Sequence, residues 1–186
     1  MDPSELHRRT VEDWQRRVVA AGDDWSRPTP CEEWDVRALV NHVVGEELWT
    51  PPLVHGGTME EVGDRFDGDV LGEDPVAVAT LAANEAVAAV ERRVPEHGIV
   101  HLSFGDAPVE EYVMQLSADH LVHGWDLAAA TDQDRTLDPD LVSAVAEWYA
   151  EREQMYRDAG AVGPRPASGD DPQSRLLAAF GRDPSW

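Results

Sequence analysis

The sequence predicts an all-α chain, folded as an up-and-down four-helix bundle with an additional short C-terminal helix. Three observations lead there. Apolar residues recur at three- and four-residue spacing over several long stretches, the period of a helix with one buried face. An aspartate followed by proline occurs at Asp74-Pro75 and again at Asp138-Pro139, which is an N-cap with proline at the first helical position. Only residues 99–104 read as strand.

The first helix covers residues 4–21, with Leu6, Thr10, Trp14 and Val18 on one face and Gly22 just beyond. Asp35 is the N-cap of the second, which carries Val36, Leu39, Val40, Val43 and Val44 and stops at Pro51-Pro52. Residues 53–73 hold Gly56, Gly57, Gly63, Gly68 and Gly72 among acidic residues and read as a long surface loop, a feature that is often functional. A third helix opens at Asp74. After the extended piece and Gly105-Asp106, a fourth runs over residues 108–130. The fifth opens at Asp138 and continues to about residue 157, with Leu141, Val145, Trp148 and Arg152 in line. Residues 160–172 are rich in proline and glycine, and a last short helix over residues 173–180 docks on the bundle.

At 186 residues the chain is expected to form one domain, 1–186, able to bury a core without staples. Hydrophobic residues at 42% and charged residues at 28% fit a soluble globular protein. Fifteen basic against thirty-seven acidic residues give a net charge of -22. Such a polyanion repels phosphate backbones and anionic lipid, and no basic stripe relieves it, so nucleic acid and membrane are excluded as partners. No apolar run approaches the ~20 residues of a membrane span. The N-terminus lacks the basic and apolar segments of a signal peptide, which makes the cytoplasm the expected location. Cys31 is the single cysteine, so no internal disulfide forms. A homodimer is compatible with the sequence.

The chemistry concentrates in Asp119-His120-Leu121-Val122-His123 of the fourth helix. Residues four apart lie one above the other on a helix face, so Asp119 and His123 can point at one ion, the logic of paired ligands in helical zinc sites. On a helical wheel both flank the cluster Val113, Leu116 and Leu127, whereas His120 points nearer its middle. In the second helix His42 and Glu46 sit one turn apart at the flank of the apolar arc. Two such flanks facing each other would form a polar pocket at the edge of an apolar core. Each signal alone has a plainer reading, since a histidine beside an apolar stripe is usually a packed residue.

The segment Thr29-Pro30-Cys31-Glu32-Glu33-Trp34-Asp35-Val36-Arg37-Ala38-Leu39-Val40-Asn41-His42 resembles the start of the second helix in DinB-like metal-binding bundles. It is closer to the metal-binding domain of mycothiol-dependent maleylpyruvate isomerase and its relatives. His123-Gly124-Trp125-Asp126-Leu127-Ala128 resembles that family's fourth-helix signature, and residues 168–184 resemble its C-terminal ending. The resemblance runs from about Trp14 to the C-terminus. It implies a zinc-like site made by one histidine of the second helix and two ligands four apart in the fourth, here His42, Asp119 and His123. This chain departs from the pattern in two respects. The isomerase has glutamate, and many DinB-like bundles histidine, at the position of Asp119, which is shorter and leaves both direct and water-mediated coordination open. The isomerase also carries a second domain after the bundle, and this sequence stops before one.

Other residues have a functional and a plain reading. Cys31 has no basic residue within a helical turn to activate it, so a packing role in the turn before the second helix is favoured. Trp34, Trp49 and Trp125 could line a substrate pocket, but tryptophans in bundles mostly fill core. Asp126 and Glu46 are equally readable as acceptors behind the metal histidines and as solvated carboxylates. His55 reads as a plain loop histidine, and His7, His97 and His101 likewise take the plain reading.

Two histidines and one carboxylate leave coordination positions for water or substrate. Zinc is the first expectation for the divalent metal, with nickel or iron suited to the same donors and manganese also open. Coordinated thiols are readily deprotonated, and the family resemblance implies a low-molecular-weight thiol such as mycothiol. The first functional expectation is therefore a metal-dependent thiol S-transferase or thiol-assisted isomerase acting on a small electrophile. The second is a non-catalytic metal- or ligand-binding module with residues 53–73 as lid or partner surface. The third is metal-assisted hydrolysis with Glu46 as general base. Thiol-dependent turnover selects the first, thiol-independent turnover that falls in Glu46→Gln the third, and binding without turnover the second.

Overall fold

Five helices begin at an aspartate whose side chain accepts hydrogen bonds from the first-turn amides: Asp2, Asp35, Asp74, Asp138 and Asp171. Four of them carry proline in that first turn, where no amide is needed. Each cap contributes about 1 kcal/mol, and its negative charge suits the positive end of the helix dipole. In the computed structural model, which describes residues 1–186, the elements are α1 (Pro3–Val19), α2 (Val36–Val54), α3 (Met59–Val62), α4 (Pro75–Arg93), β1 (Ile99–Leu102), β2 (Gly105–Pro108), α5 (Val109–Ala130), α6 (Pro139–Tyr149), α7 (Glu153–Asp158) and α8 (Pro172–Ala179). The protein is thus mostly helical with one small sheet. No helix is long and apolar enough to cross a membrane.

The four long helices form the centre. α1 packs on α5 and α4, and α2 packs on the same two. Helices α1 and α2, consecutive in the chain, therefore lie across from each other rather than side by side as a simple up-and-down order would have them. The long connections at residues 20–35 and 94–108 give the chain room to cross. α6 and α8 pack on each other, and α6 also meets α1 and α5.

α5 is the axis of the fold. It contributes to all three apolar clusters, with Leu127 among α1, α2 and α4, Leu121 and Trp125 against α6 and α8, and Val113 against the ends of α2 and α4. Seventeen of its twenty-two residues are buried, as expected of a helix surrounded on every side. Its polar residues Ser117, His120, His123 and Asp126 are buried with it, so each needs a partner inside the protein.

The structure departs from the sequence reading in four places. α2 does not stop at Pro51-Pro52 but continues to Val54, because Leu53 and Val54 are buried in the cluster shared with Val90 and Val113. That burial draws one more turn past two residues unable to donate backbone hydrogen bonds. Residues 53–73 are likewise not wholly loop, since Thr58 and Glu61 form a reciprocal capping box around α3. The extended piece is the first half of a hairpin, with Val100 opposite Ala107 and His101 opposite Asp106. Finally, the helix opened at Asp138 ends at Tyr149 and α7 follows as a separate turn. Tyr149 stacks on Phe180 beyond α8 at 3.9 Å between ring centroids, which ties this break to the C-terminal segment.

Candidate metal centre

Packing of α2 against α5 brings His42 to the pair that helical spacing aligns on α5. His42 Nε2 lies 3.3 Å from Asp119 Oδ2, and His123 Nε2 lies 3.3 Å from Asp119 Oδ1. One donor atom from each of the three residues falls within 4.8 Å of the others. Donors held about 2.0–2.1 Å from one tetrahedral ion stand about 3.3–3.4 Å apart, so the spacing suits a divalent metal. A second observation agrees. Asp119 Oδ2 is buried and has no hydrogen-bond partner, although His42 Nε2 is beside it. A buried carboxylate oxygen left unpartnered beside an imidazole nitrogen is what a ligand set presents. The histidine rings meet edge to face at 5.2 Å, and Trp34 covers both, 4.7 Å from His42 and 5.7 Å from His123.

The electrostatics follow from burial. Burial alone would raise the Asp119 carboxyl, but His123 and His42 outweigh it and hold it well below the usual carboxylate range. Burial alone would lower the His123 ring, but Asp119 and Asp126 together raise it well above its ordinary value. Glu46 is pushed up by burial and by the negative charge of Asp119. It faces the same cleft without a hydrogen bond to either histidine.

Behind His123 stands a chain of contacts. His123 Nδ1 is 2.9 Å from Asp126 Oδ2. Arg182, from beyond α8, donates to both Asp126 oxygens at 2.9–3.1 Å, to the Phe180 carbonyl at 3.0 Å and to Cys31 Sγ at 2.9 Å. The Cys31 thiol in turn donates to Asp126 Oδ2 at 3.3 Å and lies 4.0 Å from His123 Nδ1. Asp126 is therefore an acceptor behind His123, and Glu46 stands behind neither histidine. Cys31 is not simply packed in its turn. The basic residue it lacks locally is supplied by Arg182, which no local reading could have found. Cys31, His123 and Asp126 also stand close enough to be taken for a metal site, but Arg182 occupies that space with a positive charge.

The donor atoms open onto a cleft of about 270 Å³ whose walls include Leu116, Val122, Trp148, Tyr156, Val162 and Phe180. Of the tryptophans singled out from sequence, Trp34 touches the site, Trp125 fills core and Trp49 meets Phe66 at the far cluster. His55 caps the end of α2, with its ring on the Pro51 carbonyl, away from the three donors. His97 and His101 are at the surface, on Glu110 and Asp106.

His7 differs from its plain reading. It is fully buried, edge to face with His120 at 5.6 Å, and neither ring nitrogen finds a protein partner. His120 Nε2 lies 3.2 Å from the buried Glu47, and its Nδ1 lies 2.6 Å from the Leu116 carbonyl. The i to i+3 and i+4 spacing of His7, Thr10 and Trp14 was the available signal, since it puts His7 beside the apolar stripe.

Comparison with known proteins decides the family. Residues 7–128 match the mycothiol maleylpyruvate isomerase N-terminal domain. The chain belongs to that family. The matched stretch contains His42, Asp119, His123 and Asp126, and it ends before Arg182. Uncharacterized proteins from two strains of Mycobacterium tuberculosis are each 30% identical to the chain, over 97% of this chain and 97% of theirs. No solved structure matches.

Proposed function

We propose that this protein holds one divalent metal ion, zinc before nickel or iron, on His42, Asp119 and His123. It serves there as a thiol S-transferase or thiol-assisted isomerase for a small electrophile, with a low-molecular-weight thiol of the mycothiol type as cosubstrate. The observation that carries the reading is the convergence of three donor atoms within 4.8 Å at the floor of an open cleft. Family membership supports the thiol, and α1, α2, α4 and α5 are read as a DinB-like four-helix bundle in a single domain.

A divalent ion at this position would supply Lewis acidity and hold a bound thiol as its thiolate. The protein's own residues do the rest. Asp126 accepts from His123 Nδ1 and so keeps the Nε2 lone pair turned toward the cleft. Trp34 packs against the two rings. Glu46, whose carboxyl is pushed up, is the group placed to take the thiol proton. When sulfur adds across a double bond it returns that proton to the neighbouring carbon, and when sulfur displaces a leaving group it gives the proton to that group or to water. No residue of the chain serves as the nucleophile. Cys31 is engaged by Arg182 and Asp126 on the far side of the His123 ring, and all fifteen basic residues are arginine, which leaves no lysine amine. The thiol therefore arrives as a second substrate.

Glu46 also favours a second reading, hydrolysis with this carboxylate as general base. Elemental analysis of tag-free protein beside a His42→Ala, His123→Ala variant tests the centre. About one equivalent in the parent and none in the folded variant is expected. Turnover of an electrophile such as monobromobimane that requires added thiol selects transfer. Thiol-independent turnover lost in Glu46→Gln selects hydrolysis. A parent that takes up no metal after incubation with each ion would leave a non-catalytic binding module.

A further inference from the structure

The only guanidinium in the cleft is paired with a buried carboxylate and engaged through four of its five N–H groups. Arg182 Nε and Nη2 donate to the buried Asp126 carboxylate, Nη2 also to Cys31 Sγ, and Nη1 to the Phe180 carbonyl. Asp126 is fully buried and Arg182 nearly so, with 18% of its side chain exposed. Turning the guanidinium away from Asp126 toward a substrate would strand a buried carboxylate, a strongly unfavourable change.

The other ionisable groups facing the cleft are the ligand set, the acid Glu46 and the phenols Tyr112 and Tyr156. The metal site adds no spare charge either. A dication held by Asp119 and two neutral histidines would keep one net positive charge, which a thiolate cosubstrate would neutralise. The walls at Leu116, Val122, Trp148, Tyr156, Val162 and Phe180 are apolar or aromatic. The volume of about 270 Å³ lies just below the ~300–1,000 Å³ usual for small-molecule sites. Beyond the cleft the chain carries -22, which lowers the local concentration of any anion.

From these observations we infer that the substrate is a small uncharged electrophile with an aromatic or aliphatic body, not a dicarboxylate, and that Arg182 is a positioning residue for Asp126 rather than a carboxylate receptor. This rests on the metal-centre reading only for the charge count at the ion, because the walls and the occupied guanidinium stand without it.

Dimethyl phthalate and phthalate share one skeleton and differ by two charges, and neither reacts with thiols. Their binding is measured by calorimetry on metal-free protein and on zinc-loaded protein with 2-mercaptoethanol filling the open position. The diester is expected to bind at least about tenfold more tightly than the dianion in both forms. Its affinity should fall in Phe180→Ala and in Val162→Asp. In Arg182→Gln, with folding checked by circular dichroism, phthalate binding should be no weaker. Phthalate binding as tight as the diester, or lost in Arg182→Gln, overturns the inference, as does a diester that fails to bind. A protein that takes up no zinc sinks the metal reading alone, because the ranking in the metal-free form still decides the substrate class.

Discussion

His123 Nδ1 lies 2.9 Å from the carboxylate of Asp126, one turn further along α5 and on the opposite side of the ring from Asp119. In the neutral ring that a metal requires, this hydrogen bond assigns the proton to Nδ1 and the lone pair to Nε2. Removing the charge while keeping the shape isolates this effect. Asp126→Asn is expected to lower zinc affinity by about 10–100-fold, read by competition with a chromophoric chelator. Unchanged affinity would mean that the ring is oriented by packing against Trp34 instead.

Metal binding should compete with a proton. Asp119 and Asp126 hold the His123 pKa well above its ordinary value against the opposing effect of burial, so the ring is protonated in the metal-free protein at neutral pH. Asp119, held low, adds no proton there. Zinc affinity is therefore expected to rise by about tenfold per pH unit over about pH 6 to 8, with proton release seen as a buffer-dependent binding enthalpy. The stability of the metal-free protein should move the other way. The protonated ring stabilises the fold fully below about pH 6.5, and this contribution is lost as the pH rises through the raised folded value. A flat affinity profile would show that the Asp119–His123 contact is not ionic.

Glu47 and His120 test the interior behind the site. Both are fully buried, with His120 Nε2 3.2 Å from Glu47 Oε1, and Glu47 Oε2 has no partner. Glu47→Ala leaves a buried imidazole without its acceptor and is expected to cost about 3–5 kcal/mol in urea unfolding. Glu60→Ala, on the exposed side of α3, should stay within about 0.5 kcal/mol of the parent. A small effect at Glu47 would mean that the pair is neutral in the folded protein.

Cys31 should be dispensable for the metal. Its thiol meets Arg182 and Asp126, and a serine hydroxyl can make the same contacts. Cys31→Ser is expected to keep one equivalent of zinc with the cobalt-substituted spectrum unchanged. A loss of thiolate-to-cobalt absorption in the variant would instead make Cys31 a ligand.

The helices were legible because each is written locally. Aspartate caps, first-turn prolines and the apolar stripes of α1, α2 and α5 depend on neighbours a turn or two away, and so does the alignment of Asp119 with His123. The end of α2 was not legible, because Pro51 and Pro52 argue locally for a stop while the burial of Leu53 and Val54 is decided by α4 and α5. The burial of His7 was not legible for a related reason. Its partner His120 is on another helix, and one polar residue beside an apolar stripe does not say whether it faces core or water.

By itself the sequence determined the helical class, the family resemblance and the three residues able to share an ion, since repeat spacing and short motifs survive without coordinates. Only the tertiary structure decided that His42 meets the other two, that Trp34 covers them, and that Arg182 reaches back across the chain to hold Asp126 and Cys31. Those contacts join segments up to 151 residues apart, and their distances are set by how helices pack, not by the residues that flank each one.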